Sequence, residues 1–284
     1  MSNTKQYHSD YENKWCPGCG NFGILNAVKK ALAGEEIPPE KILMVSGIGQ
    51  AAKIPHFLKC NLFHGLHGRA LPVATGAKLA DHDLTILVNM GDGDCYGEGG
   101  NHFLAALRRN INITLLVHNN KVYGLTKGQA SPTSDRGFVT KAQPGGVAYD
   151  ASNPLSLALS QGAGFVARGY SGEIEHLSDL IREGISYPGF SLIDILQVCV
   201  SFNTVNTYQF YKDRVYQLNR DEYNADDWHR ALDMTMEWDE KIPIGILYKK
   251  ETRSYTDELA PLKSGSLLRQ TYDPEKIRHI ISTI

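Results

Sequence analysis

The sequence predicts an α/β protein, a mostly parallel sheet with helices on both faces. Three observations carry that prediction. Short apolar runs of strand length alternate with segments whose apolar residues recur at helical spacing. Glycines cluster directly after several of the runs, where a chain leaving a strand turns tightly or approaches a ligand closely. Hydrophobic residues are 42% of 284 and charged residues 21%, enough apolar surface for a sizeable core. Strands joined through helices need crossover connections, which are right-handed and leave the strands parallel.

In chain order, residues 21–33 place Ile24, Leu25, Val28, Ala31 and Leu32 on one helical face, and Gly34 supplies a C-terminal stop. Residues 41–46 (KILMVS) read as a buried strand running into Gly47 and Gly49. A helix over 73–80 precedes a second apolar run, 84–90 (LTILVNM). A glycine-rich loop follows, then a helix over 101–109 and a strand over 111–117 (INITLLV). The alternation continues with helices over 155–161 and 173–187 and extended segments over 165–167 and 190–198. The loops 46–53, 91–100 and 118–134 leave the carboxyl ends of strands, where open α/β sheets bind ligands, so they are expected to converge. After about Ser201 the texture changes. Residues 202–240, rich in Tyr, Asp and Arg, predict amphipathic helices, and the polar 250–284, with Pro261 and Pro274, predicts an extension. The expected division is a ligand-binding domain over 1–200 and a helical and extended segment over 201–284 packing on it or on a partner subunit.

Twenty-nine basic against 31 acidic residues leave a net charge of -2, with no broad basic face for nucleic acid and no polybasic patch for a membrane. No apolar run approaches the roughly 20 residues of a spanning helix. The polar start MSNTKQYHSDYENK lacks the apolar stretch of a signal peptide, so a soluble cytoplasmic protein is expected. Five cysteines, an odd number, argue against a disulfide framework.

Gly91-Asp92-Gly93-Asp94 directly follows one apolar strand, and His118-Asn119-Asn120 directly follows the next. Two adjacent strand ends thus offer a carboxylate and an amide oxygen to one place, a donor set that suits Mg²⁺. The flanking glycines let backbone N–H groups approach a diphosphate, and the following helix adds its positive end. A lone Gly-Asp-Gly marks a turn. Joined to the Asn-Asn pair it resembles the thiamine diphosphate motif, GDG followed by NN. That resemblance implies Mg²⁺ ligation by Asp92, Asn120 and the carbonyl of Val122.

Cys16-Pro17-Gly18-Cys19 has the two-residue spacing of zinc or iron–sulfur ligands, but no second pair lies nearby, and Cys199 is far along the chain. With WCPGCG, SGIG, HGRALPVATG, GDGD, HNNKVYGLTKGQASPT and the distal Cys199, the chain closely resembles the β subunits of 2-oxoacid:ferredoxin oxidoreductases, from about Trp15 to Leu218. The resemblance implies a thiamine diphosphate-binding (pyrophosphate-type) fold. It also implies CoA-dependent oxidative decarboxylation of a 2-oxoacid, pyruvate or 2-oxoglutarate, to acyl-CoA and CO2. Thiamine diphosphate, Mg²⁺ and one [4Fe-4S] cluster would serve, with electrons passed to ferredoxin. An α subunit would supply the glutamate that activates the coenzyme, since no residue here matches it by motif.

Carried over residue by residue, Cys16, Cys19 and Cys199 match cluster cysteines, and Lys53 and Lys127 match basic positions at the substrate end. Ile48, Gly49, His67, Gly93, Asp94, Gly124 and Leu125 match positions around the cofactor, joined by Gly91 and Gln50. His67 reads equally as a phosphate or intermediate contact and as a packing histidine. Gln50 departs from the pattern: it follows SGIG, where the family has its remaining cluster cysteine, and an amide is a poor iron ligand. A cluster held by three cysteines is the favoured reading, beside a three-iron cluster and a labile or absent one. Cys60 reads as too distant to substitute and Cys95 as a loop filler. His56, His64, His102 and His118 read as structural, and Tyr208, Phe210, Tyr211 and Tyr216 as core or interface. Two other functions compete: the thiamine-binding subunit of a non-redox 2-oxoacid decarboxylase, with Gln50 marking a lost cluster, and a non-catalytic thiamine or metal carrier domain.

Overall fold

Apolar residues that alternate along the strands are sorted by the pleat onto two faces, and each face collects its own helices. In a computed structural model that describes residues 4–263, 265–271 and 273–283, this produces one eight-stranded sheet. Residues 1–3, at the polar start, lie outside the described residues, as do 264, 272 and 284.

The strands are β1 (Ile42–Ser46), β2 (Asn61–His64), β3 (Thr85–Gly91), β4 (Ile113–Asn119), β7 (Phe165–Tyr170), β8 (Phe190–Leu196), β9 (Val215–Gln217) and β10 (Ile242–Lys249). The short β5 (Val122–Tyr123) and β6 (Gln129–Ala130) form a separate hairpin. The order in the sheet is β2-β1-β3-β4-β8-β7-β10-β9, parallel throughout except that β10 runs antiparallel to β7. Ile42, Met44, Leu87, Leu116, Ile193 and Ile195 point to one face. There they pack on α1 (Asn21–Gly34) and on α5 (Ile174–Ser186). Val45, Val88, Leu115 and Leu192 point to the other face, against α2 (Ala70–Ala80), α3 (Gly100–Arg109), α4 (Pro154–Ser160) and α7 (Trp228–Met236). β4 and β8 are buried along their whole length, as a parallel strand covered on both faces must be. A short α6 (Tyr208–Lys212) lies between β8 and β9. Among the described residues no helix is long and apolar enough to cross a membrane.

Three features differ from the sequence expectation. β2 forms the sheet edge, although all four of its residues are exposed and no apolar run marks it. The segment after Ser201 does more than pack on the sheet: β9 and β10 extend it, so the sheet crosses the boundary expected at 200. β4 starts later than the apolar run suggested and ends later, so His118 and Asn119 are strand residues. His118 is fully buried, and burial pushes its pKa down to about 3. Its neutral ring carries one N–H and so donates to one of the two amide oxygens beside it, Asn21 Oδ1 of α1 (2.8 Å from Nδ1) or Asn89 Oδ1 of β3 (3.2 Å from Nε2), a structural role.

Candidate functional site

β1, β3 and β4 end side by side, and their outgoing loops close over one small cavity. Ile48, Gly49 and Gln50 come from the loop after β1, and Gly91, Asp92, Gly93 and Asp94 from the end of β3 and the π-helical turn beyond it. Asn120, Val122, Gly124 and Leu125 come from the end of β4 and the β5–β6 hairpin, and His67 from the approach to α2. All twelve residues expected around the cofactor and its metal thus line one cavity of about 80 Å³. Lys53 and Lys127 do not line it. Lys53 sits partly exposed in the 3-10 turn after β1, and Lys127 is exposed in the hairpin with a left-handed φ of 82°.

Asp92 is almost completely buried. Its Oδ2 accepts hydrogen bonds from Ser131 Oγ and from Thr133 Oγ1, the latter at 2.7 Å. Burial pushes the Asp92 pKa up to about 6, against the lowering effect of those two hydroxyls. The β5–β6 hairpin makes the contact possible by turning the chain back after Asn120 toward β3. Thr133 Oγ1 also lies 2.9 Å from Asn119 Oδ1, and Asn119 donates to Asp194 of β8 at 3.2 Å. Tyr96 caps this buried network by donating to Asp194 Oδ2 at 2.7 Å. Ser131, Thr133, Asp194 and Tyr96 were not singled out in the sequence. Ser131 and Thr133 stand inside the quoted ASPT stretch, but nothing local marks which carboxylate they serve.

Asp94, also buried, accepts from the Gly68 amide at 2.7 Å, and its Oδ1 is 2.8 Å from His67 Nδ1 without the alignment of a hydrogen bond. Its Oδ2 has no hydrogen-bond partner, and burial raises its pKa. A side chain at Gly47 would strike that oxygen at 2.0 Å, so only glycine lets the chain leaving β1 pass so close. Gly49 has φ +113° and meets nothing within 4 Å on its Cβ side, which leaves the cavity wall open there. The donor set suits a divalent cation and a diphosphate: a buried carboxylate, an amide oxygen and a backbone carbonyl, next to an unpartnered carboxylate oxygen and an open glycine turn.

A second cavity of similar size adjoins the first. Cys16, Cys19 and Cys199 line it together with Trp15, Gln197, Ser201 and Phe202. Gln50, Asn120 and Gly124 line both cavities. A hydrogen bond from the Gly20 amide to the Val198 carbonyl, 3.0 Å, ties the two cysteine-bearing loops. Burial pushes the Cys19 thiol up to about 11, and the neighbouring Cys199 and Cys16 add to the shift. Ser201 Oγ donates to Cys16 Sγ at 3.1 Å. Cys60 and Cys95 lie elsewhere, Cys95 buried within the π-helical turn after β3. Among the described residues no three His, Cys, Asp or Glu side chains are grouped to hold a single metal ion. An iron–sulfur cluster is larger than an ion, and a Mg²⁺ site of one carboxylate, one amide and one carbonyl is outside that description.

Residues 44–195 match the thiamine pyrophosphate enzyme family, C-terminal TPP binding domain, so fold and site define a thiamine diphosphate-binding enzyme chain. Residues 199–264 match the C-terminal family of the pyruvate ferredoxin oxidoreductase β chain. A 2-oxoacid:ferredoxin oxidoreductase subunit beta from Sulfolobus sp is 45% identical over 281 residues, covering 93% of this chain and 90% of the relative. A 2-oxoglutarate synthase subunit KorB from Methanocaldococcus jannaschii is 34% identical, covering 87% and 92%. A chain of the 2-oxoglutarate:ferredoxin oxidoreductase from Magnetococcus marinus, solved with 2-oxoglutarate, coenzyme A and succinyl-CoA bound, superposes with a TM-score of 0.92 at 36% identity, covering 98% and 95%. The chain belongs to the β subunits of the 2-oxoacid:ferredoxin oxidoreductases. The Sulfolobus relative and the Magnetococcus structure are parts of oxidoreductases, against the non-redox decarboxylase and carrier readings.

Proposed function

We propose that this chain binds thiamine diphosphate through Mg²⁺ in the first cavity and an iron–sulfur cluster in the second, and that the site is completed by an α subunit. The complex then converts a 2-oxoacid and coenzyme A to acyl-CoA and CO2 and passes the electrons to ferredoxin. The single observation that carries this reading is the shared wall: twelve cofactor-site residues and three cysteines line two cavities that have Gln50, Asn120 and Gly124 in common. Electrons released in one cavity have only that shared wall to cross.

In this reading Asp92, Asn120 and the Val122 carbonyl hold Mg²⁺. Gly91 and Gly93 leave room for the diphosphate, and the N-terminal end of α3 adds a favourable dipole. Thiamine diphosphate supplies the carbon nucleophile and electron sink of the decarboxylation. His67, with Nδ1 turned to Asp94, has Nε2 left for the ligand. A cavity of about 80 Å³ has room for a diphosphate, the space of a handful of waters, but not for the coenzyme's two rings as well. The rings therefore extend past the rim, where Leu125 is exposed, to be covered by an α subunit that also contributes the activating glutamate. Lys53 and Lys127 stand outside the cavity and meet the substrate carboxylate at that rim. Cys16, Cys19 and Cys199 ligate the cluster, and Gln50 occupies its fourth side.

Iron and acid-labile sulfide content, with EPR, measured on the αβ complex purified without oxygen, tests the reading. About four irons per β chain is the expected result, and about three would mean that Gln50 leaves one corner vacant. An active complex without iron would overturn the electron route.

A further inference from the structure

Gln197 directly follows β8 and lines the second cavity, beside the shared residue Asn120. Its Nε2 lies 2.8 Å from the Val198 carbonyl oxygen and 3.5 Å from Cys19 Sγ. Its Oε1 lies 2.7 Å from Asn120 Nδ2. A backbone carbonyl can only accept, so Val198 decides which end of the Gln197 amide carries the hydrogens. The oxygen end then faces Asn120, and an oxygen can only accept there as well. Asn120 must turn its NH2 group to Gln197, which sends Oδ1 the other way, where it accepts the Val122 amide at 3.1 Å. The second N–H of Gln197 is left for the sulfur of Cys19. One carbonyl thus orders two amides and a thiol in series.

We propose that Gln197 is a positioning residue for both cofactor sites: it turns Asn120 Oδ1 toward the metal and donates an N–H to the Cys19 sulfur that ligates the cluster. The inference rests on the cofactor assignments proposed above. A flipped Asn120 would present an NH2 group to Mg²⁺, which repels rather than binds it. An N–H directed at a ligating sulfur stabilises the reduced, more negative cluster and so raises its potential.

Two substitutions separate the halves. Gln197→Leu removes both the acceptor for Asn120 and the donor for Cys19. Gln197→Glu keeps an oxygen for Asn120 but donates nothing to sulfur. In the αβ complex purified without oxygen, Gln197→Leu is expected to weaken Mg²⁺-dependent thiamine diphosphate binding about tenfold by calorimetry, while Gln197→Glu stays within about twofold of the parent. An EPR-monitored redox titration is expected to show a more negative cluster potential in both variants. A role in folding alone would not split affinity from potential in this way. An iron-loaded Gln197→Leu variant with parental affinity or parental potential would overturn the inference, and so would an equal loss of affinity in both variants. If Gln197→Glu does not fold, Gln197→Leu decides alone: an unchanged affinity or an unchanged potential overturns it. A parental complex without iron would instead remove the cluster assignment and the sulfur half with it, and the affinity split would then decide the Asn120 half.

Discussion

Asp92 and Asp94 are at most 2% exposed, and hydroxyls and amides from distant segments hold them. Across the shared wall Cys16 is exposed and Cys19 and Cys199 are partly so, their loops tied by the Gly20–Val198 hydrogen bond. The contrast follows from the chemistry of the groups. A carboxylate buried without partners costs several kcal/mol, so the chain brings donors to each one, two hydroxyls to Asp92 and the Gly68 amide to Asp94, and leaves Asp94 Oδ2 open. A neutral thiol is a small apolar group that needs no partner, so folding alone has little reason to clench three of them together. In the proposed reading the oxygen site is preformed, while the sulfur site would take its final shape from what binds there.

The comparison can be broken most directly at Asp92. Asp92→Ala should abolish Mg²⁺-dependent thiamine diphosphate binding in calorimetry and leave the far-UV circular dichroism unchanged. The fold survives because losing the Ser131 and Thr133 hydrogen bonds is offset by no longer burying a carboxylate whose pKa is already raised to about 6. Retained affinity would remove the metal assignment. Next in size, Cys19→Ser should cost most of the bound iron while thiamine diphosphate affinity remains. A parallel fall in both would mean that the two cavities are one folding unit rather than a preformed and an adaptable site.

Thr133→Val sharpens the comparison on the oxygen side. It leaves Asn119 and Asp92 short of a donor and should cost roughly 1–3 kcal/mol in a denaturant titration. Mg²⁺-dependent cofactor affinity should fall about tenfold, because the carboxylate loses one of its restraints. The smallest effect is expected at the rim. Lys53→Met and Lys127→Met should raise the KM for the 2-oxoacid only a few-fold, with kcat nearly unchanged, since partly solvated ammonium groups hold an anion weakly. A rise of tenfold or more would mean that an ammonium group is carried into the cavity when the α subunit docks.

Much of this architecture was legible because its physics is local. Residues 84–90 and 190–198 carry apolar residues on both faces, as a central parallel strand does. The GDG and NN signals survive because each sits directly at a strand end. β2 was invisible, since an exposed edge strand needs no apolar pattern. β10 was missed because Pro243 and Gly245 interrupt it. The sheet tolerates both near its far edge, Gly245 with φ +141° beside a register shift between Ile246 and Tyr248. Ser131 and Thr133 were missed for another reason. A hydroxyl has no signature until the hairpin that delivers it is seen to fold back.

The wall shared by the two cavities also limits how such a protein can vary. A change at Gln50, Asn120 or Gly124 alters the surroundings of both cavities at once, so neither can be adjusted there alone. Variants at these three positions would therefore be inherited as compromises between two chemistries, and independent tuning must come from residues that face one side only, such as His67 or Ser201.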